Sequence, residues 1–215
     1  MSVLSTVSIV DALAERLREQ VLDGEIPPGA IVAETEVAAT YGVSRPTAKG
    51  AIVTLVNSGL LQREANRPAC VPELTARDVF DIYRVRIPLE LEVARILASQ
   101  RAVVPAAQAA VAELQALPDA TPTSQLLAAD LRFHRALVAA VDSPRLTRHY
   151  DEILDEVHLA MRQYWRRLGQ AKIAREHAQI LRAVQSGNVA RATKTMRDHL
   201  DGAARIFAEE IDRAA

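Results

Sequence analysis

The sequence predicts a mostly α-helical protein in two parts, a small N-terminal domain and a larger helical bundle. Hydrophobic residues make up 49% of the 215 residues and aromatic residues only 4%, a composition that favours helices packed on helices. Apolar residues recur at helical spacing along most of the chain. Pro68, Pro72 and Thr75 interrupt this pattern, so we expect a boundary there, with domains at residues 1–74 and 75–215.

The first predicted helix begins near Ser8, whose hydroxyl can cap the first turn with Asp11 at the third position. It ends at Gly24, and the Pro27-Pro28 pair that follows forces an extended turn. Its apolar stripe consists of Ile9, Val10, Leu13, Leu17 and Val21.

Two further short helices are predicted in the N-terminal domain. The second covers about residues 34–41 and ends at Gly42, which suits a left-handed C-terminal cap. Ser44 caps the third helix, with Pro46 in its first turn, and Gly59 ends it. The expected buried face of the third helix consists of Ala48, Ala51, Ile52, Leu55 and Val56.

Two strand-like runs, Leu60–Arg63 and Ala69–Val71, predict a small β-hairpin around residues 64–68. Three helices with a glycine-containing turn between the second and third, followed by a hairpin, form the pattern of a winged helix-turn-helix. The N-terminal domain is therefore predicted to have that fold.

The rest of the chain is predicted to form an all-helical bundle of about six helices. Proline or glycine residues mark the breaks between them. The predicted helices cover about residues 76–100, 104–117, 123–141, 144–168, 171–186 and 188–213.

The free face of the third helix carries Arg45, Thr47 and Lys49 near its N-terminus, where basic groups can donate to guanine in a major groove. Arg67 at the hairpin tip could reach a minor groove or a phosphate. The net charge is −1, and residues 1–74 hold six basic and nine acidic residues, so DNA binding must depend on this local patch. The alternative is that these are ordinary solvated charges on a small bundle.

Composition also bears on compartment and partners. The single cysteine excludes an intramolecular disulfide framework and suits a reducing environment. No apolar stretch approaches the length of a membrane span, and the N-terminus does not have the pattern of a signal peptide. We therefore expect a cytoplasmic protein with no membrane partner.

The helical bundle contains one polar constellation that an apolar core does not need. Asp130 and His134 are four residues apart and share a helix face. His177 and His199 lie at matching distances on either side of a predicted turn at Gly187-Asn188, so their imidazoles would lie level. One Asp and three His residues form a plausible metal site with positions open for water or ligand. Zinc is the default, with nickel, manganese or iron as other options.

An alternative exists here too, because a single helical histidine is more often a hydrogen-bonded or surface residue than a metal ligand. His149 and His158 match no such pattern and are assigned to that class.

One combined pattern covers residues 24–29, 34–38, 41–49, 59–61 and 66–67, together with Leu55. This pattern resembles the GntR family of bacterial transcription regulators. The resemblance implies that Thr35, Arg45 and Lys49 contact DNA and that Arg67 lies in the wing. Thr35 and Lys49 stand where the family usually has Arg, which puts the operator sequence in doubt rather than the DNA-binding role. Further departures are Gly50 in place of an acid and Pro68 in place of Gly.

The bundle resembles the FCD ligand-binding domain of the FadR subfamily, in segments 81–90, 130–134, 176–181 and 196–200. In metal-binding members the matching positions hold a divalent ion, and members typically sense small carboxylates. The resemblance implies metal binding by Asp130, His134, His177 and His199 and an anion counter-charge at Arg86. Arg86 could instead, or also, form an ion pair with Glu90 at i+4.

These observations predict a one-component regulator that binds a palindromic operator as a homodimer and whose DNA affinity responds to a small carboxylate. A regulator whose metal is itself the signal, or is purely structural, is a variant of this hypothesis. The rival is a metal-dependent hydrolase that uses the Asp and three His residues. The sequence lacks a metalloprotease helix signature, and the hydrolase hypothesis leaves the N-terminal motif without a role.

Overall fold

A computed structural model describes residues 8–118, 121–164 and 169–214. The chain divides into two compact units, Met1–Glu73 and Leu74–Ala215. Helices dominate both units, with one small antiparallel sheet in the first. The predicted fold class is therefore confirmed. Among the helices of the described ranges, none has an apolar stretch long enough to cross a membrane.

Local capping sets the helices of the first unit. The Ser8 hydroxyl accepts a hydrogen bond from the Asp11 amide, and Ser44 caps the third helix in the same way through the Thr47 amide. Gly42 ends the second helix with a positive φ of 63°, a conformation that favours glycine. The elements are α1 (Ile9–Asp23), β1 (Ile31–Val32), α2 (Glu34–Tyr41), α3 (Arg45–Asn57) and β2 (Ala69–Cys70).

The apolar face of α3 forms the centre of the first unit and packs against α1 and α2. Its buried residues are Ala48, Ala51, Ile52 and Leu55, whereas Val56 is only half-buried. Gly50 lies where α3 passes α1, because a Cβ atom there would come 3.1 Å from Val10 Cγ1. This close approach explains why a small residue occupies a helix interior that glycine otherwise weakens.

The predicted hairpin needs correction. Strand β2 pairs with β1, in the register Ile31 with Cys70 and Val32 with Ala69. The expected pairing with residues 60–63 is reduced to a single bridge, in which Gln62 and Cys70 exchange two backbone hydrogen bonds of 2.8 and 2.9 Å. The wing is therefore anchored to the segment before α2, because β1 supplies the partners for one side of β2.

The second unit consists of helices whose ends lie within about three residues of the predicted ones over the described ranges. The last four residues of the predicted helix 144–168 lie outside those ranges. The helices are α4 (Ala76–Ser99), α5 (Pro105–Ala116), α6 (Thr123–Ala139), α7 (Pro144–Tyr164), α8 (Gln170–Gln185) and α9 (Val189–Ala214).

Helix α4 lies centrally in this bundle, in contact with α6, α7, α8 and α9. A capping box of Thr75 and Asp78 fixes its first turn. Gly187, with φ of 76°, turns α8 back into α9. Residues on α6, α8 and α9 therefore meet beside the buried face of α4.

Candidate functional site

Four residues predicted as metal ligands lie together inside the bundle. Asp130 and His134 come from one face of α6, His177 from α8 and His199 from α9. One ligand atom of each lies within 4.8 Å of all the others. Asp130, His134 and His177 are buried, and His199 is partly buried. The helix hairpin at Gly187 places the rings of His177 and His199 with their centroids 4.9 Å apart.

Two of the histidines are oriented by carboxylates outside the cluster. His134 Nδ1 lies 2.5 Å from Glu90 Oε2, and His199 Nδ1 lies 2.8 Å from Glu176 Oε2. Their Nε2 atoms then face each other across 3.2 Å. Carboxylate contacts of this kind commonly orient metal-ligating histidines and leave the other ring nitrogen for the metal.

The third histidine makes no hydrogen bond to any described residue through either ring nitrogen. His177 Nε2 lies 3.2 Å from Asp130 Oδ1, outside hydrogen-bond geometry. Its ring stacks on Phe133 with centroids 4.0 Å apart and an interplanar angle of 9°. A buried imidazole without a hydrogen bond is costly, and a metal ion bound at either ring nitrogen would offset that cost.

The electrostatics of the cluster favours neutral imidazoles at His134 and His177 beside an ionised carboxylate at Asp130. Burial lowers the pKa of His177 to about 4, although Asp130 opposes this shift. Burial likewise lowers the pKa of His134, against the opposing effect of Glu90. Burial would raise the pKa of Asp130, but contact with His177 and the nearby imidazoles hold it well below its usual range. Neutral imidazole and ionised carboxylate are the forms that bind metal.

These donors fit a divalent metal ion. Two imidazole nitrogens bound to zinc at about 2.0–2.1 Å in tetrahedral geometry would lie about 3.3 Å apart, and the His134 and His199 nitrogens are separated by 3.2 Å. Three imidazoles and one carboxylate suit zinc, nickel, manganese or iron and do not distinguish among them.

Arg86, the predicted anion partner, lies on the buried face of α4 beside this cluster. Its Nε donates to Glu90 Oε1 at 2.6 Å and its Nη1 donates to the Tyr83 hydroxyl at 3.2 Å. Its Nη2 has no hydrogen-bond partner among the described residues. Both expectations for Arg86 are therefore compatible with the structure: an ion pair with Glu90 and a remaining donor for an anion.

A small cavity connects Arg86 to the cluster. Its volume is about 10 Å³, room for about one water molecule. Both polar and apolar side chains line it. The lining includes Tyr83, Arg86, Asp130, Lys172, Glu176 and His199, with Met161, Ile173, Ala203 and Phe207.

The predicted DNA-contacting residues lie on the surface of the first unit. Arg45 and Lys49 are exposed on α3, Thr35 is exposed on α2, and Thr47 is half-buried at the start of α3. Arg67 is exposed in the wing, where it forms an ion pair of 2.8 Å with Glu64. Because the opposite face of α3 is buried against α1 and α2, these groups remain available to a partner.

Two family models match the chain. The model of the FCD domain matches residues 81–202, and that of the bacterial regulatory proteins of the gntR family matches residues 9–71. The chain belongs to the GntR family of bacterial regulators. It carries an FCD domain behind the family's DNA-binding domain.

Similar GntR-type proteins are transcriptional regulators. The HTH-type transcriptional regulator YdhC of Bacillus subtilis (strain 168) is 26% identical over 190 residues, which cover 86% of this chain and 85% of that protein. An HTH-type regulator from the ttuE-ttuC' intergenic region of Agrobacterium vitis is 32% identical over 141 residues, covering 63% and 82%.

Solved structures share the fold. A GntR transcriptional regulator from Rhodococcus sp. RHA1 superposes with a TM-score of 0.79 at 22% identity, covering 92% of this chain and 96% of that one. Escherichia coli McbR/YncC gives a TM-score of 0.77 at 18% identity, covering 95% and 99%. The role follows from the family models and the relatives, which are transcriptional regulators and not enzymes, so this GntR-family chain is a transcriptional regulator.

Three residues of the site of this GntR regulator, Glu176, Glu90 and Tyr150, were not predicted from the sequence as part of it. Glu176 could have been found by counting residues from the Gly187 turn, since it lies nearly as far from the turn as His199, which it contacts. Glu90 was predicted only as an ion-pair partner of Arg86 and not as a contact of His134. Tyr150, whose hydroxyl donates to Glu90 Oε1 at 2.8 Å, carries no local sequence signal, because its contact depends on how α7 crosses α4.

Proposed function

We propose that the protein is a one-component regulator whose FCD domain binds a divalent metal ion and a small carboxylate and whose N-terminal domain binds operator DNA. The observation that carries this proposal is the cavity that Arg86 lines together with Asp130 and His199 of the cluster. Arg86 Nη2 has no hydrogen-bond partner among the described residues, and a guanidinium group and metal ligands on the walls of one small cavity suit a carboxylate.

In this proposal Asp130, His134, His177 and His199 hold the ion. A bound divalent ion would supply a positive charge and open positions for carboxylate oxygens. Arg86 provides the second charge and orients the anion, while Glu90 keeps the guanidinium in place. An effector acts only if it favours one arrangement of the helices over another, because equal affinity for two states shifts nothing.

Arg45, Thr47 and Lys49 would enter a major groove, with Thr35 and Arg67 contacting flanking DNA. Replacing Arg45 by Ala is expected to weaken operator binding about 5- to 150-fold, the range for loss of one good base contact. The measurement is fluorescence anisotropy with DNA from upstream of the gene at fixed salt. Arg132→Ala, which removes an exposed basic residue on α6 of the second unit, is the control, and equal affinities of all three proteins would contradict the proposal.

The sensor half is tested by adding a panel of small carboxylates to the metal-loaded protein on DNA. His134→Ala should lose metal binding and the response to the carboxylate while keeping basal DNA binding. Retained carboxylate-dependent release in this variant would refute the site. Measuring DNA binding after chelation separates the alternative roles of the metal. If the metal is itself the signal, its removal changes the affinity for DNA without any carboxylate.

We also propose that the regulator is a homodimer that pairs through the outer face of α4. This face presents an apolar strip that includes Phe80, Ile87 and Leu91, and Phe80 is 45% exposed. Ion pairs flank the strip, Arg84 with Asp81 at 3.0 Å and Arg95 with Glu92 at 2.6 Å.

The charges on this face are self-complementary. If two copies of α4 cross antiparallel with Pro88 at the two-fold axis, Arg84 lies opposite Glu92 of the partner subunit, and Asp81 lies opposite the partner's Arg95. A two-fold interface requires such reciprocal contacts. Two copies of one helix then neutralise each other's charges around an apolar centre.

Charge reversal tests this interface. Arg84→Glu and Glu92→Arg should each weaken the dimer in analytical ultracentrifugation, and the double variant should restore part of the lost affinity. Arg135→Glu, an exposed reversal on α6, is the control and should remain dimeric. Dimers of unchanged affinity in both single variants would exclude this face.

A further inference from the structure

We infer that Glu90 is a positioning residue that fixes the tautomer of His134, so that the Nε2 lone pair faces the metal cluster before any metal arrives. The inference rests on the proposed metal site and extends it to a residue outside the ligand set. Glu90 and His134 are both buried, and Glu90 Oε2 lies 2.5 Å from His134 Nδ1.

The other contacts of Glu90 show which group carries the shared proton. Arg86 Nε and the Tyr150 hydroxyl both donate to Glu90 Oε1, at 2.6 and 2.8 Å. Arg86 is permanently charged and buried, so a neutral carboxyl beside it would leave the guanidinium without its counter-charge. Glu90 is therefore an ionised acceptor, and the proton lies on His134 Nδ1.

A neutral imidazole has one N–H group, so a proton on Nδ1 leaves a lone pair on Nε2. That atom lies 3.2 Å from His199 Nε2, whose ring is oriented in the same sense by Glu176. Two lone pairs at this distance repel each other unless a proton or a cation lies between them. The carboxylates thus hold the rings in an arrangement that a metal ion relieves.

The two carboxylates differ in how easily water can replace them. The Glu176 side chain is 29% exposed and lies 3.7 Å from Lys172 Nζ. Glu90 is only 1% exposed and contacts Arg86, Tyr150 and His134, so water replaces it less easily. We expect Glu90 to contribute more to metal affinity than Glu176.

The test is Glu90→Gln in the full chain. Glutamine keeps an oxygen that accepts from Arg86 and Tyr150 but turns an N–H group toward His134 Nδ1, which then must accept. In metal-free protein with ¹⁵N-labelled histidine, His134 should change from the Nδ1–H to the Nε2–H form by NMR. Affinity for Zn²⁺, measured by competition with a chromophoric chelator, should fall about 10- to 100-fold.

Two variants serve as controls. Tyr150→Phe removes one donor to Glu90 but keeps the carboxylate, so His134 should remain Nδ1–H and zinc affinity should stay within a few-fold. Glu176→Gln should weaken zinc binding by less than Glu90→Gln does. Loss of zinc affinity in Tyr150→Phe equal to that in Glu90→Gln would indicate a merely structural role and overturn the inference.

The wild-type spectrum decides the matter even if Glu90→Gln fails to fold. An Nε2–H tautomer of His134 in the metal-free wild type would overturn the inference, and Nδ1–H would support it. A wild type that binds no metal but has the Nδ1–H form would refute the proposed metal site and leave the positioning role of Glu90 intact. The two failures are therefore distinguishable.

Discussion

Replacing His177 by Ala should remove most of the stabilisation that the protein gains from metal. A ligand present at 100 times its Kd stabilises the folded state by about 2.7 kcal/mol. For a chain of 215 residues, each kcal/mol raises the Tm by about 2–4 °C. Saturating zinc should therefore raise the Tm of the wild type by about 5–10 °C.

The variant loses one of four ligands, and the lost imidazole makes no hydrogen bond to any described residue. If its Kd rises by about 100-fold, at the upper end of the range for loss of an outer-shell partner alone, the same zinc concentration stabilises it by only about 0.4 kcal/mol. The expected shift in Tm is then about 1–2 °C.

Differential scanning calorimetry of chelated and zinc-loaded protein measures both shifts. His149→Ala is the matched control, because His149 is an exposed histidine on α7 beside Glu152, and it should retain the full shift. A His177→Ala variant that keeps the wild-type shift would show that His177 does not bind the ion, and the four-residue site would have to be abandoned.

Three further predictions concern the fold and the DNA surface. Gly42→Ala should destabilise the N-terminal unit by about 1–2 kcal/mol in urea unfolding. A Cβ atom there meets no atom within 4 Å, so only the positive φ opposes the substitution. Gly42→Asn should lose less stability than Gly42→Ala. Glu156→Gln should stabilise the protein at pH 7 by less than about 1 kcal/mol, because burial, with Asp155 and Asp81 nearby, raises the pKa of Glu156. That gain should vanish as the pH falls below the ordinary glutamate pKa, where wild-type Glu156 is neutral in both states; a gain independent of pH would contradict this cause. Arg67→Ala should weaken binding to all DNA sequences alike and reduce the salt dependence, as loss of a phosphate contact does, whereas a sequence-specific loss would place Arg67 on a base.

Helix boundaries were predictable from the sequence because capping is local. Ser8 and Ser44 accept hydrogen bonds from amides three residues along the chain. Gly24, Gly42 and Gly187, which were expected to end helices or mark breaks between them, adopt positive φ angles, as predicted for Gly42. Strand β1 was not predictable. It has two residues, and its partner β2 lies almost 40 residues further along the chain, so no local alternation marks it.

The same distinction applies to the cluster. Asp130 and His134 are related by one helical turn, and His177 and His199 by one tight turn between helices, so their proximity follows from short-range geometry. The contact of Tyr150 with Glu90 spans 60 residues and depends on the crossing of α4 and α7. Such contacts follow from the packing of the bundle, which the spacing of residues along the chain does not specify.

In the proposed function, the size of the cavity beside Arg86 limits how an effector could enter. A cavity of about 10 Å³ holds about one water molecule, so a metabolite would enter only if the apolar side chains that line the cavity, Met161, Ile173 and Phe207, moved apart. The proposed effector would then bind only the open conformation. Each tenfold decrease in the open fraction raises the half-saturating effector concentration about tenfold. Replacing these apolar side chains by smaller ones would lower the half-saturating effector concentration and leave every polar group unchanged. The sensitivity of the regulator could then change while its specificity for the ligand stays the same.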